Sequence, residues 1–377
     1  MARKDSVVSQ LVGGVRQLLK HNGVEVVSGF GTALDPHTVQ VGDRRLTCRH
    51  LIVATGSSPA MPDTPGLAQA REQGIVIDST DALVLPRLPK RLIILGGGVI
   101  AVEFASLYSG LGTEVVMVQR SPEILKGLDA DVRKTIQRHL VKTGVKLHHS
   151  TTVKAISGHT VTLETPGGLV EETGDYILVS TGRTANLKGL EALGLKTAKG
   201  FVETDSQMRT NVPGVYAIGD LNGRFMLAHV ASAEGLVAVD NILGKAAEIN
   251  YDRIPSCIYS FPEVGAAGLT EEEARSRGHE VIVSQFPLSA NGKALAEGES
   301  LGFVKIVADK QYGEVLGIHI VASHATDMIA EAVAVLELEG TVHDLARTVH
   351  PHPTLSEIVM EAAHGAVDKP IHIFKKD

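Results

Sequence analysis

The segment that most constrains the fold is residues 92–120, with the sequence LIILGGGVIAVEFASLYSGLGTEVVMVQR. Its first residues, Leu92–Leu95, are all apolar and predict a buried strand. The residues that follow predict a helix over Val99–Leu107 and a second strand over Glu114–Val118. Strand, helix and strand in this order form the repeating unit of a parallel sheet. The segment therefore predicts an α/β fold.

Three small residues near the start of this helix match the pattern G-x-G-x-x-G/A: Gly96, Gly98 and Ala101. Gly96 permits a tight turn, Gly98 lets a pyrophosphate approach the backbone, and Ala101 lets the helix pack closely on the strand. Phosphates would lie at the helix N-terminus, where unpaired N–H groups and the helix dipole favour anions. The pattern predicts a nucleotide site; the alternative is a glycine-rich turn that serves packing only.

Composition excludes several classes of function. The 377 residues carry a net charge of −7, which argues against nucleic acid or an anionic membrane as partner. No apolar run approaches membrane-spanning length, and the N-terminus lacks the apolar core of a signal peptide. The two cysteines, Cys48 and Cys257, form no CxxC or CxxxxC motif, which suits a reducing cytoplasm. No histidine or cysteine cluster has metal-ligand spacing, so no metal is predicted.

The start of the chain does not contain a complete strand–helix–strand unit. Apolar periodicity over residues 5–20 predicts a helix, and short strands are predicted at Val24–Phe30, Thr38–Val41 and Leu46–Thr47. Leu51–Ala54 then predicts a buried strand. A helix followed by antiparallel strands is an unusual beginning for a nucleotide-binding protein.

The middle of the chain continues the α/β pattern. A helix is predicted over Asp129–Lys142, followed by a three-stranded meander within residues 153–173. Buried strands are predicted at Tyr176–Ser180 and Val215–Ile218, and a helix at Val230–Leu243.

Beyond residue 256 the pattern changes to long strands followed by helices. The predicted strands are Phe303–Ala308 and Val315–Ile320, and the predicted helices are Asp327–Glu337, Thr341–Arg347 and Thr354–Ala363. Two of these helices carry apolar stripes, which exceed what one small domain readily buries: Met328, Ile329, Ala332, Val333 and Leu336 on one, and Ile358, Val359 and Ala362 on the other. The stripes predict a homodimer through this part of the chain.

Seven motifs follow one another along the chain: ATGSSP (54–59), GGGVIAVEF (96–104), STGRTAN (180–186), TNVPGVYAIGD (210–220), LAHVASAEG (227–235), FPEVGAAGLTEEEA (261–274) and LEGTVHDLARTVHPHPTLSE (338–357). In this order they resemble the motifs of the flavin-dependent pyridine nucleotide–disulfide oxidoreductases, and the last is specific to the dihydrolipoamide dehydrogenase branch of that family. The resemblance covers the whole chain.

The resemblance implies Rossmann-like FAD- and NAD(P)-binding domains, of which the flavin domain is incomplete, and a C-terminal α+β dimerisation domain. The implied segments are a flavin-domain remnant (1–85), a nicotinamide domain (86–203), a second flavin segment (204–255) and the dimerisation domain (256–377). Family members also carry an earlier G-x-G-x-x-G for FAD and a CxxxxC redox pair, and neither occurs here. We expect a truncated or mis-started chain, a natural variant, or a segment supplied in trans.

Several positions are implied to bind cofactor, and by resemblance Asp220 bonds the ribityl hydroxyls of the flavin. A carboxylate at the end of a buried strand can accept from a polyol, although a simple Gly-Asp turn is the alternative. Glu103 matches a glutamate that pairs with a lysine beside the redox cysteines, so it is either an unpaired, partly buried acid or a solvent-facing helix residue. The remaining implied positions are Ala54, Thr55, Gly56, Gly182, Arg183, Gly219 and Ala228.

The preference between NAD and NADP stays open. NAD sites place Asp or Glu at the end of the second strand, where this chain has Gln119, followed by Arg120. A neutral amide removes repulsion against a 2′-phosphate, and Arg120 could bind one in a bidentate manner. Arg120 and Lys126 resemble the basic pair of NADPH-using glutathione reductases; the alternative is two solvated surface cations.

His352 and Glu357 match the base and its orienting carboxylate in the family's HPTxSE motif. Dithiol oxidation needs a base, and imidazole titrates near neutrality. The residues alone leave a second interpretation, because Thr354 to Glu357 also forms a capping box that would begin a helix. His350 is expected to be structural.

The implied reaction is oxidation of dihydrolipoamide on a lipoyl-bearing protein of a 2-oxo acid dehydrogenase-type complex, with FAD and NAD(P) as cofactors. Because Cys48 and Cys257 have no local partner, we expect the chain alone to be inactive in this reaction. The alternatives are a catalytically silent nucleotide-binding or assembly subunit and an NADPH-linked disulfide reductase. In the implied homodimer, His352 serves the other subunit's site.

Overall fold

A computed structural model of the chain describes residues 1–373. These residues form two compact units, each made of two stretches of chain. The first unit contains residues 1–58 and 183–249, and the second contains residues 59–182 and 250 onward. The finer division into four segments stays a prediction.

The described residues contain every predicted α-helix, in the predicted order, and four short α-helices that were not predicted. None of them is both long and apolar enough to cross a membrane. They are α1 Ala2–His21, α2 Leu67–Glu72, α3 Ser79–Ala82, α4 Val99–Gly110, α5 Ala130–Lys142, α6 Ala228–Ile242, α7 Glu271–Ser276, α8 Gly292–Glu297, α9 Ala325–Glu337, α10 Val342–Arg347 and α11 Glu357–Val367. The four that were not predicted are α2, α3, α7 and α8.

The strands of residues 1–373 fall into seven sheets. In the first half of the chain they are β1 Gly31–Asp35, β2 Thr38–Val41, β3 Arg44–Thr47, β4 Leu51–Val53, β5 Ser57–Pro59, β6 Val76–Ile77, β7 Arg91–Leu95, β8 Glu114–Val118, β9 Lys146–His148, β10 Thr152–Ser157, β11 Thr160–Thr165 and β12 Gly168–Thr173. In the second half they are β13 Tyr176–Val179, β14 Arg183–Ala185, β15 Thr197–Ala198, β16 Phe201–Val202, β17 Val215–Ala217, β18 Ser256–Ile258, β19 Glu263–Gly268, β20 Val281–Pro287, β21 Phe303–Asp309 and β22 Val315–Ala322.

The first unit combines an antiparallel meander, β1–β2–β3, with the parallel pair β4 and β17. The strand predicted at Val24–Phe30 is wrong, because these residues pair with no strand and the first strand begins at Gly31. The partner strand β2 ends at Val41, opposite Gly31, so no backbone remains to pair with the residues before it. Alternating apolar residues alone do not make a strand without a neighbour.

The second unit begins with a five-stranded parallel sheet in the order β6-β13-β7-β8-β9. The predicted strand–helix–strand segment is confirmed as β7, α4 and β8, and the predicted meander as β10–β12. Leu92, Ile93 and Ile94 are fully buried. A continuous apolar run fits this strand because helices and the meander cover both faces of a central parallel strand.

The second unit continues with a five-stranded sheet, β18-β19-β22-β21-β20, in which every neighbouring pair is antiparallel. Helices α9 and α11 pack on it, and α10 packs on α11. The helix predicted over Thr354–Ala363 begins three residues later, at Glu357. Thr354 cannot begin a helix here because its hydroxyl donates to the Pro351 carbonyl at 2.8 Å instead of accepting a helix N–H.

The apolar stripes of α9 and α11 lie inside the unit's own core, so the surface argument for a dimer is wrong. Both stripes pack against β19 to β22 in one cluster. The sheet provides more apolar surface than the helix patterns alone suggest, and it accommodates both helices. The buried stripe residues are Met328, Ile329, Ala332 and Leu336 on α9 and Ile358, Val359 and Ala362 on α11.

A buried lysine connects the antiparallel sheet to α5. The Lys305 side chain on β21 is 3% exposed, and its ammonium contacts Asp129 at 3.0 Å, Asp131 at 2.7 Å and Glu271 at 3.1 Å. Burial disfavours the charge, but these carboxylates outweigh it and raise the pKa of Lys305 to about 12. Asp129 also accepts the Asp131 N–H at the start of α5, so one carboxylate serves both the helix and the ion cluster.

We expect Lys305→Ala to reduce the free energy of unfolding by about 3 kcal/mol or more, because it leaves buried Asp129 without its countercharge. Urea unfolding at neutral pH measures this difference. Lys310→Ala is the matched control, since Lys310 and its partner Glu280 are both exposed. The control should cost less than about 1 kcal/mol. Equal effects of the two substitutions would contradict the structural role of the buried cluster.

Candidate functional site

The glycine-rich turn of the second unit leaves open space in front of a helix N-terminus. Gly96 has φ +138°, and a Cβ there would lie 2.4 Å from the Ser180 carbonyl oxygen, so glycine is required. Gly98 is the N-cap of α4 and has no side chain to cap it, and a Cβ added there would meet no atom within 4 Å. Ala101 is fully buried, which fits close packing of the helix. The N–H groups at the start of α4 are therefore available to an anion.

Gln119 lies at the end of β8 but packs over the glycine turn. It is 8% exposed, and a Cβ on Gly97 would come within 1.7 Å of its Oε1. Its amide nitrogen donates to the Ser121 carbonyl at 2.9 Å and lies 3.4 Å from His149 Nδ1. A side chain at position 97 would therefore displace the buried Gln119 amide.

Arg120 and Lys126 are both exposed, in contrast to Gln119. They follow β8 on the same side of the parallel sheet, where the carboxyl ends of the strands lie. They are the two cations nearest in sequence to the buried amide, and their exposure leaves them accessible to a phosphate.

Glu103 on α4 is neither unpaired nor fully exposed. Its Oε1 accepts the Tyr259 N–H at 2.9 Å, and Ser106 one turn later accepts the Phe261 N–H at 2.9 Å. Burial raises the pKa of the Glu103 carboxyl, although the Tyr259 N–H opposes the shift. Glu103 is thus partly buried, as the first interpretation predicted, but its carboxylate is paired with a backbone N–H.

In the first unit, Asp220 lies just beyond the carboxyl end of β17. Its Oδ2 accepts the Ser57 hydroxyl at 2.5 Å, and Arg183 Nε lies 2.6 Å from the same hydroxyl and 3.5 Å from the carboxylate. About a quarter of the Asp220 and Arg183 side chains is exposed. The structure therefore brings together three residues from the motifs ATGSSP, STGRTAN and YAIGD, with a carboxylate that can still accept from a ligand.

The turn after β4 is joined to Asn186, which the sequence did not single out. Thr55 donates its hydroxyl to the Asn186 carbonyl at 2.7 Å, and the Asn186 amide donates to the Thr55 carbonyl at 3.0 Å. The Asn186 N–H also donates to the Gly56 carbonyl at 2.9 Å. Ala54 and Gly182 are exposed, and Gly56 has φ +68°. These bonds fix the shape of the turn that precedes Ser57.

A second missed residue, Glu234, is fully buried on α6. Its carboxylate accepts the Gly219 N–H at 2.6 Å and the Asn222 amide at 2.9 Å, and so holds the turn that carries Asp220. The sequence feature that could have indicated Glu234 is an acidic residue in helical register with Val230 and Ala238, which are both buried on α6. That helix begins at exposed Ala228, two residues earlier than predicted, with no side-chain cap.

His352 and Glu357 are brought together as the motif implied. Glu357 Oε1 lies 2.8 Å from His352 Nδ1, and Oε2 accepts the Thr354 N–H at 2.8 Å. The His352 side chain is 78% exposed, whereas Glu357 is 19% exposed. Burial opposes ionisation of Glu357, but the Thr354 N–H and His352 outweigh it and lower the pKa of Glu357. Because a carboxylate only accepts, His352 Nδ1 carries a proton and Nε2 is left to accept one.

The capping-box interpretation is half right. Glu357 does accept the Thr354 N–H, but Thr354 is three residues from a helix that starts at Glu357 itself. Asn291, which the sequence did not indicate, donates its side-chain amide to the Thr354 carbonyl at 3.0 Å. Both backbone polar groups of Thr354 are thus held, which fixes the loop that carries His352.

His350 is structural in its contacts. Its side chain is 5% exposed, with Nε2 2.8 Å from Glu331 Oε1 and Nδ1 3.0 Å from the Thr348 carbonyl. The Glu331 carboxylate raises the pKa of His350 against the effect of burial. This pair fixes the loop to α9 on the side before His352.

Comparison with known proteins identifies the family. The family model of the pyridine nucleotide-disulphide oxidoreductases matches residues 2–235, and that of their dimerisation domain matches residues 254–363. The chain belongs to this family. It is therefore an oxidoreductase of a family that uses FAD and NAD(P), and the dimerisation domain supports a homodimer.

Similar proteins include two dihydrolipoyl dehydrogenases. The one from Bacillus subtilis (strain 168) is 41% identical over 99% of this chain and 81% of its own length. The one from Thermus scotoductus is 42% identical over 100% of this chain and 82% of its own length. Among solved structures, the copper complex of a cysteine-to-serine mutant of the flavoprotein disulfide reductase RclA from Escherichia coli has a TM-score of 0.87 at 25% identity, covering 96% of this chain and 83% of that one.

The residues fit both cofactors. The uncapped start of α4 and the open space at Gly98 suit a pyrophosphate of NAD(P), since backbone N–H groups and the helix dipole favour anions there. The partly exposed carboxylate of Asp220 suits the hydroxyl-rich ribityl chain of FAD. The roles of individual residues in binding remain predictions.

We expect Gly98→Ala to weaken binding of NADH and NADPH by about tenfold or more, equal to 1.4 kcal/mol, because a methyl group would occupy the space that a pyrophosphate needs. The protein should stay folded, since the position has an ordinary φ of −83° and no neighbour within 4 Å. Fluorescence titration measures both affinities. Gly110→Ala, also in open space on α4, should leave them unchanged.

Proposed function

We propose that this protein catalyses the oxidation of dihydrolipoamide by NAD(P)⁺ in a flavin-containing assembly. The observation that carries the proposal is the exposed His352 imidazole, held at Nδ1 by the partly buried Glu357 carboxylate at 2.8 Å. The dihydrolipoyl dehydrogenases among its relatives support the same reaction.

The proposed role of His352 follows from its hydrogen bonds. Conversion of a dithiol to a disulfide removes two protons and two electrons, and a base must take a proton from a thiol before the sulfur can attack. His352 Nε2 accepts that proton, while Glu357 holds the tautomer and stabilises the imidazolium. Bound FAD and NAD(P) supply the two-electron transfer chemistry.

The thiols of this chain do not support a relay by themselves. Cys48 and Cys257 are both free, and they belong to different compact units. Burial, with nearby Glu263 and Asp327, raises the pKa of the Cys257 thiol, which makes it a poor nucleophile at neutral pH. We therefore expect dihydrolipoamide turnover to require a thiol pair additional to these residues. The second candidate function is a catalytically silent nucleotide-binding subunit. The lack of a usable thiol pair among Cys48 and Cys257 favours it.

We expect the 377-residue chain with added FAD to show no dihydrolipoamide-dependent formation of NADH or NADPH, measured by absorbance. A form extended before Met1 by a flavin fingerprint and a CxxxxC segment should gain this activity. His352→Gln in the extended form should lower kcat at least about 100-fold, the usual contribution of a general base. His364→Gln on α11 is the matched control and should keep full activity.

Three outcomes decide between the candidates. Activity of the unextended chain that survives Cys48→Ser and Cys257→Ser would contradict the thiol argument. Full activity of His352→Gln would contradict the base assignment. A folded, colourless extended form without turnover would favour the silent subunit.

We expect Arg120→Ala to weaken NADPH binding about tenfold or more while leaving NADH binding unchanged, because exposed Arg120 would contact only the 2′-phosphate. Isothermal titration with both coenzymes measures the difference. Arg138→Ala is the control, at a cation on α5. Strong NADH preference in the parent chain, with no effect of Arg120→Ala, would assign the chain to ordinary NAD users.

The proposed partners follow from the proposed reaction. A homodimer in which His352 serves the other subunit's site would explain why this base is 78% exposed in a single chain. The substrate would be the lipoyl group of a 2-oxo acid dehydrogenase-type complex. A cytoplasmic location stays a prediction.

A further inference from the structure

The turns that follow β8 and β9 are joined by backbone hydrogen bonds at one edge of the parallel sheet. The two strands are parallel neighbours, so their carboxyl ends share this edge. The Gln119 N–H donates to the His148 carbonyl at 2.9 Å, and the Thr151 N–H donates to the Gln119 carbonyl at 2.9 Å. His149 lies between these two bonding positions. It is therefore a spatial neighbour of Gln119, which occupies the position where NAD sites carry Asp or Glu.

The side chain of Gln119 is already engaged by the protein. It is 8% exposed, and its Oε1 packs so closely on the glycine turn that a Cβ on Gly97 would lie 1.7 Å away. Its amide nitrogen donates to the Ser121 carbonyl at 2.9 Å, and the same nitrogen lies 3.4 Å from His149 Nδ1. The buried amide therefore has little left to offer a coenzyme, and the partly exposed His149 is the polar side chain beside it.

The contact with Gln119 selects one tautomer of His149. Because the Ser121 carbonyl only accepts, the amide nitrogen faces it, and the same nitrogen is a donor to His149 Nδ1 as well. The proton of the neutral ring therefore lies on Nε2. Burial lowers the pKa of His149, and Glu123 opposes this shift without cancelling it, so the ring is neutral at physiological pH. Glu123 is itself paired with Arg133 at 3.2 Å.

The Nε2–H of His149 has no hydrogen-bond partner within residues 1–373. Nε2 of the adjacent His148, in contrast, lies 2.8 Å from Glu172. Arg120 is exposed, and its guanidinium makes no ion pair with any residue that the structure describes. Two donors without a protein partner, one neutral and one cationic, therefore lie at this edge of the sheet.

We propose that His149 binds the 2′-phosphate of NADP(H) through its Nε2–H, and that Gln119 is the positioning residue that fixes this tautomer. The inference rests on the proposed contact of NADPH with Arg120, and not on dithiol oxidation. A phosphate only accepts, so N–H donors favour it, whereas a carboxylate at the end of the second strand would repel it. The 2′-hydroxyl of NADH can accept the same N–H, but a bond to a neutral group is weaker.

Isothermal titration of the full 377-residue chain with NADPH and with NADH tests the contact. We expect His149→Leu to weaken NADPH binding about tenfold or more, as for loss of a hydrogen bond to a charged group. NADH binding should weaken less than about threefold, because that bond is to a neutral group. His139→Leu is the matched control, since His139 on α5 is a partly exposed histidine of the same compact unit. It should leave both affinities unchanged.

Nitrogen-15 NMR of the His149 ring, recorded without coenzyme, tests the role of Gln119. Above about pH 8, where histidine is neutral, we expect the proton on Nε2 in the wild type. Gln119→Glu should move the proton to Nδ1, because a carboxylate only accepts. Gln119→Leu removes the donor without adding a charge, and should give a mixture of both tautomers.

Four outcomes would overturn the inference: unchanged NADPH affinity in His149→Leu, equal loss of NADPH and NADH affinity there, a proton on Nδ1 in the wild type, or no NADPH binding by the wild type. The comparison with Arg120→Ala separates the two contacts. Loss of NADPH affinity in His149→Leu but not in Arg120→Ala would support His149 and contradict the proposed role of Arg120. The opposite pattern would contradict His149 alone.

Discussion

The buried ammonium of Lys305 is the interaction on which the second unit depends. Its three carboxylate partners come from the start of α5 and from the first residue of α7, so one charge connects α5 with the antiparallel sheet. Opposite it on β22 is fully buried His319, whose pKa burial lowers, so that this ring stays neutral and adds no competing charge. A buried charge is tolerated only when it is compensated, and this requirement fixes how α5 packs against the antiparallel sheet.

The same requirement shapes the candidate sites. Glu234, Glu357 and Glu361 each bind at least two donors, and in each case a backbone N–H is one of them. A carboxylate with two oxygens can hold a side chain with one and a peptide with the other. In this way the turn before Asp220, the loop of His352 and the segment of His372 each acquire a defined shape outside regular secondary structure.

Sequence reasoning succeeded where the signal is local. The strand–helix–strand segment was predicted almost to the residue, because apolar runs, glycine spacing and helix periodicity are all read within a few residues. It failed at Val24–Phe30, where a suitable alternation has no partner strand, and at the start of α11, where loop hydrogen bonds override a capping pattern. The apolar stripes of α9 and α11 predicted burial correctly, but not that the chain's own sheet provides it.

Two of the residues that were missed, Asn186 and Asn291, share a physical cause. Asn186 acts on a turn 131 residues earlier in the chain, and Asn291 acts on a loop 63 residues later. Such contacts leave no periodic pattern in the sequence, because the asparagine and its distant partner come together only when the chain folds. Motifs can therefore identify the groups that perform chemistry, such as His352, whereas the groups that hold them in place become visible only in the folded chain. The precision of a site is supplied by these distant polar side chains, because a base is useful only when its tautomer and position are fixed.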